Sequence, residues 1–218
     1  LAAPVGAGER VLRVGEAGWE SALAALRTAD PALAVLFDRF PGERIRTSGD
    51  PFQVLANAIV GQQISVAAAS AIFGRLTALL GEWTPAAVGR VTDEDLRKAG
   101  LSVRKVEYFR GLAAAFLDGT IDPVRWETET DAQVLRELVS LRGIGRWTAE
   151  MFLIFHLQRP DVLPLDDLGL LQSAARLFGW EYPFPPGRLA DRAEAWRPWR
   201  TVAVWYLWRA LDPQPVVY

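Results

Sequence analysis

Helix punctuation recurs along this chain at intervals that suit a set of short packed helices and little else. Asp50-Pro51-Phe52-Gln53 reads as a helix start: Asp50 can cap, Pro51 suits the first helical position, and Gln53 stands where a capping-box partner would. Thr130-Asp131-Ala132-Gln133 has the same form, and Gly100, Asp118-Gly119 and Gly179 read as stops. Phe52, Leu55 and Ile59, then Val66, Ile72, Leu76 and Leu79, recur at helical spacing with a break near Gly61. Residues 19–40 read as two helices around a turn at Asp30-Pro31. Further helices are expected over Thr92–Gly100, Ser102–Asp118, Thr130–Val139, Arg146–Leu157 and Asp166–Gly179. The last helix is expected to carry Trp199, Val202, Trp205, Tyr206 and Trp208, and residues 181–188 read as a Pro-rich loop. No convincing strand pair is present, so an all-α fold of about ten helices is expected. Its expected organisation is one domain of two helical lobes, approximately 45–150 and 1–44 plus 151–218, with a cleft between them.

Composition narrows the chemistry. Cysteine is absent from the 218 residues, which excludes disulfides, thiolate nucleophiles, sulfur-bound zinc and iron–sulfur clusters together. Half the residues are hydrophobic, enough for a packed core, yet no apolar run approaches the roughly 20 residues of a membrane span. A cytoplasmic protein is expected. The formal net charge is −2, unlike the strongly basic balance of many nucleic-acid binders. A phosphate grip would have to come from clustered arginines and from backbone amides. Arg104, Lys105, Arg110, Arg142, Arg146 and Arg200 would form a basic face if the fold gathers them, and ordinary solvated charges if it does not.

Two segments carry the functional reading. Leu138 through Ala149 reads as a helix, a turn through Gly143-Ile144-Gly145, and a second helix leaving at once. Two glycines one residue apart allow left-handed backbone and close approach of a ligand to the main chain. Amides at the start of the second helix suit a phosphate, while Ile144 anchors the turn. Taken alone, a Gly-x-Gly turn is as well explained by a plain helix hairpin. Twenty residues past Trp147, Pro164-Leu165-Asp166-Asp167-Leu168 puts two carboxylates at a helix start. One acid suffices as a cap, so the second exceeds what capping requires. A carboxylate kept ionised there can stabilise developing positive charge.

Hairpin, Trp-Thr-Ala and Leu-Pro-x-Asp-Asp together resemble the helix-hairpin-helix-Gly/Pro-Asp superfamily of DNA glycosylases, and within it the bacterial 3-methyladenine DNA glycosylase II family. Ala58 through Ser65 resembles that family's DNA-inserting turn. Gly100 through Ala113 resembles the helix before its hairpin lobe, and Trp196 through Trp208 its C-terminal helix. The resemblance covers about residues 30–210 and implies base flipping from double-stranded DNA, then hydrolysis of the N-glycosidic bond of alkylated purines. It implies Asp167 as the essential carboxylate, with Asp166 left as the cap. It places Gly143, Gly145, Arg146 and Thr148 on phosphate. It also implies a structural sodium or potassium ion on the carbonyls of Val139, Leu141 and Gly143, and no other cofactor. Trp147 stands where bifunctional relatives carry a Schiff-base lysine, so water is the implied nucleophile and the strand stays intact. Trp147, Trp199 and Met151 are the implied base pocket, electron-rich enough at the indoles to favour a cationic purine; Trp205 and Trp208 read as core.

The chain departs from the family at several points. Gln62-Gln63 occupies the wedge, where leucine is frequent, and the residue that inserts is left open between the two. Met151 replaces a tyrosine, and the lesion range does not transfer with it. No counterpart of the family's β-rich N-terminal subdomain is expected in these residues. His156, the sole histidine, has no second ligand-type residue at metal spacing and reads as helix surface or core. A monomer acting at the nucleoid is expected. The competing readings are a non-catalytic damage-recognition module, for which Asp167 would be superfluous, and a glycosylase for another lesion.

Overall fold

The structure, a computed structural model, describes residues 14, 16–47 and 49–211. Among the described residues there is no strand. Twelve α-helices follow in order: α1 (Glu16–Ala29), α2 (Ala34–Arg39), α3 (Pro51–Gly61), α4 (Val66–Leu80), α5 (Pro85–Arg90), α6 (Asp93–Lys98), α7 (Val103–Leu117), α8 (Asp131–Val139), α9 (Arg146–Met151), α10 (Leu168–Phe178), α11 (Pro186–Ala193) and α12 (Arg200–Leu211). None is long and apolar enough to cross a membrane. The chain divides into two compact units, residues 49–149 and residues 14–47 with 150–211 of those described.

In the first unit α7 is the central helix, packed against α3 and α5. It starts where Ser102 accepts the Lys105 N–H at 3.3 Å and stops at Asp118, which is followed by a left-handed Gly119. Its inward face, Val106, Phe109, Leu112 and Ala113, is buried with Phe52, Leu55 and Ile59 of α3 and Val88 of α5. Burying a ring such as Phe109 contributes about 2–3 kcal/mol. Phe52 meets Phe116 edge-on, with centroids 5.4 Å apart. Thr130 and Gln133 form the expected reciprocal capping box of α8. The box expected at Asp50 and Gln53 is not made. Asp50 instead accepts from Phe52 N–H at 2.9 Å, the shorter reach that Pro51 at the first helical position leaves to it.

In the second unit α10 packs on α12, and α1 and α2 also meet α12. Trp19, Leu26, Leu33, Trp196, Val202 and Tyr206 are buried there. Asp30, a buried carboxylate, accepts from Arg192 twice at 2.7 Å and from the Trp196 indole at 2.9 Å.

Three boundaries differ from expectation. The helix expected over Arg146–Leu157 is α9 followed by one π-helical turn, Phe152–His156, closed by Leu157 N–H on the Phe152 carbonyl. Part of the expected 181–188 loop is helical, because Pro186 serves as a first helical residue. Trp199 precedes α12 instead of lying in it. A short helix, α5, went unread although Thr84-Pro85 is a start signal: Thr84 accepts from Ala87 N–H at 3.1 Å.

Candidate active site and nucleic-acid interface

Asp167, in the second unit, is the N-cap of α10, with its backbone extended and its Oδ1 accepting the Leu170 N–H at 2.6 Å. The cap was expected to be Asp166. The structure gives that position to its neighbour because the helix begins one residue later, at Leu168, and leaves Asp166 exposed. The same Oδ1 also accepts the Trp208 indole N–H at 3.0 Å. Two donors from different helices thus orient one half-buried carboxylate at the positive end of a helix dipole. Close quarters explain Gly169: a Cβ there would lie 3.2 Å from Asp167 Oδ1 and 3.4 Å from a Leu211 methyl.

Trp208, read as core from the sequence, is half-buried and is the indole that reaches Asp167. The π turn supports it from behind. Phe155 stacks on Trp208 with centroids 5.7 Å apart and planes 17° apart, and meets Trp205 edge-on at 6.2 Å. A π turn carries one more residue than an α turn, which changes the face on which Phe155 emerges. Trp205 is buried as expected, Met151 is buried, and Trp199 is half-buried just before α12. His156 is half-buried, stacks on Phe152 at 4.7 Å, and its carbonyl accepts from Thr47 at 3.1 Å.

The hairpin lies in the first unit. Gly143 adopts φ +94° and Gly145 does not adopt a positive φ, so the left-handed conformation that the two glycines allow is taken by one. A Cβ on Gly143 would meet the Tyr108 ring at 2.4 Å, while one on Gly145 would meet nothing within 4 Å. Ile144 is buried and anchors the turn, as expected, its N–H bonding the Leu141 carbonyl at 3.1 Å. Gly145, Arg146 and Trp147 are exposed in succession, Trp147 to 41%, and Thr148 is half-buried. Of the three carbonyls expected to face a cation, Leu141 accepts from Ile144 and Gly143 accepts the Gln62 side-chain amide at 2.8 Å. Each keeps a second lone pair, and neutral oxygens of this kind fit a monovalent ion.

The Gln62-Gln63 turn is brought to this hairpin. Gln62 ends α3 and is held by Gly143, whereas Gln63 is exposed with φ +58°, a left-handed conformation that non-glycine residues seldom take. Lys105 donates to the carbonyls of Val60 at 2.7 Å and Gln62 at 2.8 Å. Burial holds its ammonium below the ordinary lysine range.

Four of the six cations are engaged by carboxylates or carbonyls of their own unit. Lys105 is spent on the end of α3. Arg110 binds Asp93 and the carbonyls of Val88 and Val91, Arg142 pairs with Glu107, and Arg200 forms a two-pronged pair with Asp161 at 2.6 and 3.0 Å. Arg104 is exposed.

Comparison with known proteins gives the family. Residues 56–199 match the family model described as HhH-GPD superfamily base excision DNA repair protein. DNA-3-methyladenine glycosylase 1 of Schizosaccharomyces pombe is 34% identical over 184 residues, spanning 81% of this chain and 79% of its own length. A crystal structure of DNA-3-methyladenine glycosidase from Bacillus halodurans superposes with a TM-score of 0.83 at 36% identity, covering 94% of this chain and 93% of that one. The structure of the S. pombe enzyme in complex with abasic DNA gives 0.76 at 31% identity, covering 87% and 95%. The match spans the Gln62-Gln63 turn, the hairpin and the Asp167 cap, and the chain belongs to the HhH-GPD superfamily of base excision DNA repair proteins.

Proposed function

We propose that this chain is a monofunctional DNA-3-methyladenine glycosylase, which flips an alkylated purine out of double-stranded DNA and hydrolyses its N-glycosidic bond. The observation that carries this reading is Asp167, a carboxylate oriented by Leu170 N–H and the Trp208 indole within the family-matched region. As the bond from C1′ to the base nitrogen breaks, its electron pair leaves with the base, and the sugar gains oxocarbenium character. The Asp167 carboxylate stabilises that charge, and water then adds at C1′ and loses a proton, leaving an abasic sugar. A purine already cationic through alkylation needs no further proton to depart. Trp147, exposed to 41%, offers an indole face to such a base and no amine for an imine. Met151 and Trp199 of the second unit are assigned to base binding, with Trp208 of that unit added by its bond to Asp167.

Gly143, Gly145, Arg146 and Thr148 are assigned to phosphate on the duplex, and the S. pombe relative solved with abasic DNA supports a DNA partner. The carbonyls of Val139, Leu141 and Gly143 would hold a sodium or potassium ion, which would supply a positive charge beside the phosphate and take no part in bond cleavage. Gln63 is assigned as the inserting residue, because Gln62 is committed to Gly143 while Gln63 is exposed. The protein is assigned to work as a monomer at the nucleoid.

Base release from methylated duplex DNA, with strand analysis before and after alkali, tests this function. Free 3-methyladenine with breaks appearing only after alkali is expected. Breaks without alkali would overturn the monofunctional assignment, and binding without release would leave a recognition module in its place.

A further inference from the structure

Lys105 is oddly employed for a lysine near a DNA-binding hairpin. Its ammonium is half-buried and bonds the Val60 and Gln62 carbonyls at 2.7 and 2.8 Å, with no ion pair among the described residues. These are carbonyls at the end of α3 that have no further helical turn to bond, where a cation is favoured by the helix dipole. Gln62, whose own carbonyl Lys105 holds, donates its side-chain amide to Gly143 at 2.8 Å. One turn along α7, the Tyr108 ring fills the space at Gly143 where a Cβ would stand. Lys105 and Tyr108 therefore lie on one face of α7, three residues apart, one against the wedge turn and the other against the hairpin.

We propose that Lys105 is a positioning residue that locks the Gln62-Gln63 turn to the hairpin, so that insertion into the stack and phosphate binding act as one rigid device. The inference rests on the reading of Gln63 as the inserting residue. Gln63 follows the clamped carbonyl directly and is left-handed, a conformation that persists only where surrounding bonds over-determine it. Removing the clamp lets the turn relax to a commoner conformation, and Gln63 then no longer projects in register. The hairpin amides, which Lys105 does not touch, keep their affinity for undamaged duplex.

The test compares wild type, Lys105→Met and Lys105→Arg on two duplexes of one sequence, one bearing a tetrahydrofuran abasic analogue beside 2-aminopurine, across a salt series. For Lys105→Met the expected result is unchanged affinity and salt slope on intact duplex. Its preference for the abasic duplex should fall at least about tenfold, since two charge-assisted hydrogen bonds are lost, together with the 2-aminopurine signal. Lys105→Arg, which keeps a cation with several donors, should recover most of the preference. A weaker intact-duplex affinity with a salt slope lower by about one would make Lys105 a phosphate contact and overturn the clamp. Full preference in Lys105→Met would also overturn it. Absence of preference in the wild type would remove the wedge reading itself. If circular dichroism shows Lys105→Met unfolded, Lys105→Leu, which likewise has no N–H donor and no charge, is read by the same criteria.

Discussion

At the residue scale, two glycines two positions apart in one hairpin make opposite demands. Gly143 needs both its left-handed backbone and its missing side chain, since a Cβ would enter the Tyr108 ring. Gly143→Ala should therefore lower the unfolding free energy by on the order of 3 kcal/mol, combining the left-handed penalty with overpacking. Thermal melting reads the effect directly. Gly145 has open space around it, so Gly145→Ala should leave the melting temperature nearly unchanged. It should still weaken DNA binding several-fold, with or without a lesion, by keeping phosphate off the main chain; unchanged affinity would remove the hairpin's phosphate role. Asp167→Asn keeps an oxygen able to accept from Leu170 but loses the charge. Excision should fall by at least about a hundredfold, the range for losing one transition-state electrostatic partner, while abasic-DNA affinity holds. Single-turnover base release distinguishes this from a purely capping aspartate, whose replacement by asparagine would be nearly silent.

At the element scale, the orientation of the Asp167 carboxylate is a joint product of α10, α12 and the π turn. Helix α10 supplies the capping amide, α12 supplies the Trp208 indole, and Phe155 of the π turn stacks on that indole. Trp208→Phe keeps the aromatic surface and deletes one N–H to a carboxylate. A loss of about tenfold in kcat with KM little changed is expected, in line with a hydrogen bond to a charged group. A change confined to KM would mean that Trp208 only contacts the base. The capping devices obey the same logic at other helix starts: Ser65, Ser102 and Thr130 each accept an N–H three residues on. Each is visible in the sequence because the donor and acceptor are near neighbours in the chain.

At the scale of the whole molecule, one long-range polar tie is Asp30, bonded to Arg192 and Trp196 across 162 and 166 residues of sequence. Burial alone would push its carboxyl up, but the Arg192 guanidinium and the Trp196 N–H together hold it below the ordinary value of 3.8. A depressed carboxylate contributes stability above its unfolded pKa and loses it as pH falls through the folded one. The urea midpoint should therefore drop below about pH 4, and Asp30→Asn should flatten part of that drop. At neutral pH Asp30→Asn should cost about 2 kcal/mol, less than a fully buried pair because Arg192 retains 36% side-chain exposure. A variant with the wild-type acid limb would show that other carboxylates control the transition. The net charge of −2 also finds its explanation at this scale. Arg110, Arg142 and Arg200 are paired with acidic partners, so the proposed phosphate contact would rest in large part on main-chain amides.

The sequence by itself determined the all-α class, most helix starts and stops, the hairpin with its buried Ile144, and the family to which Asp167 and the Gln62-Gln63 turn belong. Those features are local: caps, helical periodicity and short motifs involve residues within about one turn of each other. The tertiary structure alone decided the rest. It made Asp167 and not Asp166 the cap, since a one-residue shift in helix onset lies below what pattern resolves. It brought Trp208 to Asp167 across 41 residues and Gln62 to Gly143 across 81. It also turned Lys105 from an apparent surface cation into a clasp on the end of α3. Such pairings depend on which faces of distant helices are packed together, and the spacing of residues along one helix carries no information about its partner.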